Sequence, residues 1–83
     1  MTWIKCSEKM PTLIEYRNTF SNYWESDYVL IAIEGYTEAE KAYLHKSKDK
    51  NQSHPIKWLK GDDYWILDQV THWMPLPELP GDR

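Results

Sequence analysis

Tyr28-Val29-Leu30-Ile31-Ala32-Ile33-Glu34-Gly35-Tyr36-Thr37-Glu38-Ala39-Glu40-Lys41-Ala42-Tyr43-Leu44-His45-Lys46 is the stretch on which the fold turns. Its first half is β-branched, apolar on both faces and closed by Gly35, which is the pattern of a strand lying centrally or beneath a cover. Its second half reads two ways. Thr37-Glu38-Ala39-Glu40 satisfies a capping-box pattern followed by good helix formers. Against this, Lys41, Tyr43 and His45 alternate with Ala42 and Leu44, directly after a short glycine-containing turn. We read it as the return strand of a hairpin, which makes the sheet antiparallel.

Toward the C-terminus, residues 46–55 are polar and read as a mobile surface loop. Ile56-Lys57-Trp58-Leu59-Lys60 and Asp63-Tyr64-Trp65-Ile66-Leu67 then flank Gly61-Asp62, a two-residue hairpin signal. That loop dictates a register: Lys60 opposite Asp63, Leu59 opposite Tyr64, Trp58 opposite Trp65 and Ile56 opposite Leu67. Trp58, Trp65, Ile56 and Leu67 then share one apolar patch. A last strand over Val70–Met74 is stopped by Pro75, which has no N–H for the ladder. The proline-rich residues 75–80 are expected to run extended and close the fold as an apolar clasp.

Toward the N-terminus, residues 12–27 are ambiguous. The spacing of Leu13, Tyr16, Phe20, Tyr23 and Trp24 fits one helical face, but Asn18, Thr19, Ser21 and Asn22 are poor helix formers. We expect a short helical or irregular segment covering the central strand. Trp3–Cys6 reads as a short first strand ended by the turn at 7–11. The fold expected is α+β, with a mostly β domain as the alternative: residues 1–83 as one small domain, with a four- to five-stranded antiparallel sheet and that covering segment.

Size and composition narrow the classes. Eighty-three residues leave no room for a second core. One cysteine permits no internal disulfide, which favours a reducing compartment. Twelve aromatic residues (five Trp, six Tyr and one Phe) supply large rings that let a short chain build an interior. No secretion signal or membrane-length apolar run is legible, so a cytoplasmic site is expected. A net charge of −3 and pI near 5.5 give no overall pull on phosphate, so direct nucleic-acid binding is not expected.

Several dispersed strings then take on meaning together. Trp3-Ile4-x-Cys6-x-Glu8-x-Met10-Pro11, Val29-Leu30-Ile31, Tyr64-Trp65 and the terminal Val70-Thr71-His72-Trp73-Met74-Pro75-Leu76-Pro77-Glu78-x-Pro80 resemble the DUF551 family of small bacteriophage and prophage proteins. The resemblance implies phage or prophage origin, hence the cytoplasm of a host bacterium, and a shared fold. It implies no activity. Residues 12–27 and the loop at 46–55 are longer than that pattern calls for, and these insertions are where a private target would be engaged.

Chemistry-bearing residues are sparse. Cys6 and His72 would make a thiolate–imidazole pair if the two ends of the chain met. The plain alternative is a cysteine packed as a small hydrophobe and a hydrogen-bonded histidine, and no third orienting group is legible. Cys6, His45, His54 and His72 lack metal-ligand spacing. No catalytic residue, metal site or cofactor is therefore assigned. The surplus of rings favours an interface. Phe20, Tyr23, Trp24 and Tyr36 are the expected anchors, with Glu25 and Asp27 as an acidic rim. The function expected is a non-catalytic accessory protein that occludes a host or defence-system protein. The alternative is a binder of a nucleotide-like ligand between rings, and an exposed edge strand also admits a homodimer.

Overall fold

The computed structural model describes residues 2–17, 22–48, 51 and 53–77. Within them run eight strands: β1 (Ile4–Lys5), β2 (Ile14–Arg17), β3 (Asn22–Glu25), β4 (Val29–Ile33), β5 (Glu40–Ser47), β6 (Ile56–Lys60), β7 (Asp63–Ile66) and β8 (Val70–Pro75). A single 3-10 turn, Leu67–Gln69, links β7 to β8. All pairings are antiparallel. The α+β expectation is therefore wrong: the described chain is all-β, with no α-helix and more strands than the four or five expected. Among the described residues no helix is long and apolar enough to cross a membrane.

The misread segment is 12–27. It forms a β2–β3 hairpin in which Tyr16 pairs with Tyr23 and Glu15 with Trp24, not a cover over the central strand. Tyr16 and Tyr23 do share a face, as a helical wheel would place them. They share it as cross-strand partners, where two rings stack better than they would on a short helix rich in Asn, Ser and Thr.

The decisive stretch resolves as a strand and its return. Gly35, at a φ of +86°, supplies the left-handed residue that the turn between β4 and β5 needs. β5 then pairs twice along one edge, with β4 through Ala42, Lys41 and Glu40 and with β3 through Ser47, Lys46 and His45. Its other edge takes β6. Lys46 and Ser47 thus belong to the strand rather than to the loop expected from 46, and the Ser47 N–H donates to Pro55 O across the connection at 2.7 Å.

Between β3 and β4 the chain swerves at Ser26. The Ser26 N–H donates to Leu44 O at 2.9 Å, and the Leu44 N–H donates to Ser26 Oγ at 2.9 Å. A buried side-chain oxygen replaces a ladder carbonyl, so β5 remains satisfied while its neighbour bends. The bend folds the sheet over its inner surface. Val29, Ile31 and Ile33 of β4 meet Ala42 and Leu44 of β5, Trp58, Trp65, Val70 and Trp73 in one buried cluster.

The β6–β7 hairpin has the expected register for Lys60–Asp63, Leu59–Tyr64 and Trp58–Trp65. Positive φ at Gly61, and at no non-glycine residue among those described, is the mark of a turn whose first central residue alone is left-handed. The fourth expected pair fails. β7 ends at Ile66, and Leu67 enters the 3-10 turn and lies exposed, so Ile56 is paired only on its β5 edge, with Lys46. The Gln69 side-chain oxygen accepts the Ile66 N–H at 2.9 Å and so ends the strand.

In β8 the register slips between Ala32 and Ile33 of its partner strand. Thr71 is the extra residue, and the resulting bulge turns both Val70 and Trp73 inward although they are three apart. Trp73 Nε1–H donates to Lys9 O at 2.7 Å, which ties the C-terminal strand to the N-terminal turn. Trp58, wholly buried, has no partner for its Nε1–H among the described residues.

Two stability measurements follow. Ser26→Ala leaves the buried Leu44 N–H unmatched and is expected to cost about 1–3 kcal/mol in urea unfolding. Trp73→Phe orphans the Lys9 carbonyl, whereas Trp58→Phe removes an already unmatched donor. The first is expected to destabilise by about 1 kcal/mol more than the second, compared by denaturation midpoints at equal m-value.

Candidate functional site

Strand parity sorts the side chains onto two surfaces. On the inner one lie the buried tryptophans and aliphatics. On the outer one, Ile14, Glu25, His45, Lys57 and Ile66 form a row across five strands. Tyr16–Tyr23–Ser47 and Tyr43–Leu59–Tyr64 form the rows on either side of it.

The rings on this outer surface touch one another. Tyr16 stacks on Tyr23 at 5.4 Å between centroids, and Tyr23 stacks on His45 at 5.5 Å. His45 Nδ1–H donates to Glu25 at 2.9 Å. Tyr28 meets Tyr43 edge-on at 5.1 Å. Lys41 lies over the Tyr28 ring at 4.9 Å and Lys57 over Tyr64 at 5.2 Å. Burial, with the charge of Glu25 behind it, pushes the Tyr43 phenol above its ordinary pKa, so at neutral pH this hydroxyl is a donor. Tyr16, Tyr28 and Tyr64 remain 42%, 48% and 55% exposed. They are ordered by their neighbours yet open to solvent, which is how an interface anchor keeps its ordering cost low.

The expected anchors are placed as follows. Tyr23 is half-buried within the stack. Trp24 points to the other surface, half-buried, with Lys46 and Lys48 over its ring at 5.0 and 4.4 Å; Lys48 is in turn paired with Glu15 at 2.7 Å. Glu25 is engaged by His45, while Asp27 is exposed at the kink. Tyr36, 53% exposed, accepts the Trp65 Nε1–H at 3.3 Å. Phe20 lies outside the described residues. Tyr16, Tyr28 and Tyr64 were not among the expected anchors, although the register read for the β6–β7 hairpin already set Tyr64 opposite in parity to buried Trp65.

The two ends of the chain do meet. β1 pairs with β8, Lys5 opposite His72, and the Cys6 N–H donates to Thr71 O at 3.0 Å. A cleft of about 550 Å³ there is lined by Lys5, Cys6, Met10, Asp68, Thr71 and His72 among others. Cys6 follows Ile4 in packing against the buried cluster, whereas His72 has the parity of Lys5 and its Nδ1 lies 2.9 Å from Thr71 Oγ1. Thiol and imidazole thus approach the cleft from opposite surfaces, with no hydrogen bond between them. Burial raises the Cys6 pKa, and its backbone hydrogen bond offsets only part of that. The thiol is held protonated, the reverse of an activated nucleophile. Among the described residues no three His, Cys, Asp or Glu side chains gather as a metal site.

With the fold and its surfaces described, comparison with known proteins places the chain. A family model described as "Protein of unknown function (DUF551)" matches residues 2–81, and the chain belongs to the DUF551 family. It is similar to the "Uncharacterized 7.8 kDa protein in ral-gp17 intergenic region" of Salmonella phage P22, at 33% identity over 99% of this chain and all of the relative. That relative is lighter than the 10.0 kDa found here, so the extra mass of this chain falls within the aligned span. No solved structure gives a significant match.

The state of the thiol is checkable. Cys6 is expected to react with a disulfide reagent at pH 8 more slowly than a free cysteine peptide. Urea should restore the peptide rate, because the brake is burial.

Proposed function

We propose that this DUF551 protein is a phage-borne binding protein that occludes a host protein, a defence component being the leading class. Its instrument is the outer sheet surface. The observation that carries the reading is the row structure there. Three half-exposed tyrosines are held in contact with other aromatic or cationic groups, on a surface that no other described element covers. Tyrosine anchors with a wet hydroxyl and a buried ring edge suit a protein partner.

Capture of a nucleotide-like ligand between rings is less well supported. A sandwiched base needs roughly 7 Å between ring planes, two van der Waals spacings. The Tyr16–Tyr23–His45 stack, with centroids 5.4 and 5.5 Å apart, is already closed on itself.

The test is affinity capture of host-lysate proteins on the tagged chain, quantified by mass spectrometry. The same capture is run with Tyr16→Ala/Tyr64→Ala, which removes rings at opposite sides of the outer surface. A partner retained by the natural chain is expected to fall at least about tenfold on the double variant, as loss of interface anchors does. Retention of nothing specific, or equal retention by both chains, removes the reading.

A further inference from the structure

A second cleft, of about 300 Å³, opens beside the kink between β3 and β4. Its size is at the lower end for ligand sites, enough for one long side chain. Pro11, Val29 and Trp73 form a buried apolar floor, and Tyr28, Leu76 and Asp27 lie toward the opening. Trp73 has already given its one donor to Lys9 O, so it offers the cleft only ring carbons.

Asp27 is the exception in this apolar setting. Its backbone oxygen accepts from Ser26 Oγ at 2.8 Å. Its carboxylate, however, has no hydrogen-bond or ion-pair partner among the described residues. The neighbouring acid, Glu25, is engaged by His45. The Ser26–Leu44 bonds fix the backbone at the residue just before Asp27, so this free charge sits beside an apolar slot on a rigid support.

We infer that the cleft receives one arginine side chain of the partner protein, its guanidinium on the Asp27 carboxylate and its methylene stem along Pro11 and Trp73. This rests on the protein-binding reading above and names the chemistry the partner presents. An apolar occupant would strip water from the carboxylate without replacing its hydrogen bonds. A lysine ammonium is more strongly hydrated and less suited to a ring-lined slot than a planar, weakly hydrated guanidinium. The cleft is also continuous with the outer surface. Tyr28 lines its opening and meets Tyr43 edge-on, so one partner covers both.

The test is an amide NMR titration of the full chain with N-acetyl-L-arginine amide, against the neutral isostere N-acetyl-L-citrulline amide. The expected result is saturable shifts confined to residues 12, 26–29, 73, 74 and 76, the positions at the cleft that carry an amide N–H. The citrulline probe, and Asp27→Asn with the arginine probe, should each bind at least about tenfold more weakly. An unchanged spectrum away from the kink checks that the variant is folded. Equal response to both probes, shifts elsewhere or no response overturns the assignment. A lysate partner that still needs Tyr16 and Tyr64 but ignores Asp27→Asn removes the arginine cleft and leaves the protein-binding reading intact. A saturable arginine response with no protein retained does the opposite.

Discussion

Leu44 offers its backbone N–H and C=O to a chain that must turn away from it, and Ser26 answers both. The backbone of Ser26 donates to the carbonyl and its hydroxyl accepts from the amide. Without that exchange, two buried polar groups of the central strand would be left without partners wherever the neighbouring strand bent. With it, β3 and β4 follow one another along one edge of β5, both antiparallel to it, on either side of the kink. The bent sheet can then bury its inner surface against itself, and a domain this small acquires an interior without a second layer.

The aromatic residues divide according to what each ring can tolerate. The indoles of Trp58, Trp65 and Trp73 lie in the interior, where their area contributes most. The phenols of Tyr16, Tyr28, Tyr36 and Tyr64 face water, which their hydroxyls accept at no desolvation cost. The division is not absolute: Trp24 is half-buried under two lysines, and Trp3 is 39% exposed. It still explains why the outer sheet surface is a tyrosine surface. The β2–β3 hairpin supplies Tyr16 and Tyr23 to it, so the hairpin extends that surface rather than standing apart from it.

Much of the sheet was legible because alternation and turn chemistry are local. Gly61-Asp62 set three cross-strand pairs, and the Lys41–His45 alternation marked a return strand despite the capping-box pattern before it. Failures came where a local pattern had two readings. The spacing of Tyr16 and Tyr23 satisfies a helical face and a hairpin equally. Choosing between them requires β5, which pairs with β3 twenty residues downstream. The Ile56–Leu67 pair failed because the strand ends one residue earlier, where Gln69 folds back on Ile66; Ile56 still packs on the core with Trp58 and Trp65, and Leu67 alone was misplaced. Trp24 was ranked as an exposed anchor because a sequence read as one helical face cannot assign the alternate surfaces of a hairpin.

The sequence by itself determined the antiparallel pairing of its hairpins, the aromatic content that lets so short a chain build an interior, and, through its terminal strings, the family. Those follow from neighbours within a few residues, or from motif identity. The tertiary structure decided which rings are sealed and which are offered. It also decided that Cys6 and His72 approach one cleft from opposite surfaces, and that Glu25 is engaged while Asp27 is free. The face a side chain takes depends on the parity of every strand between it and the core. A single bulge at Thr71 or kink at Ser26 resets that parity at a distance.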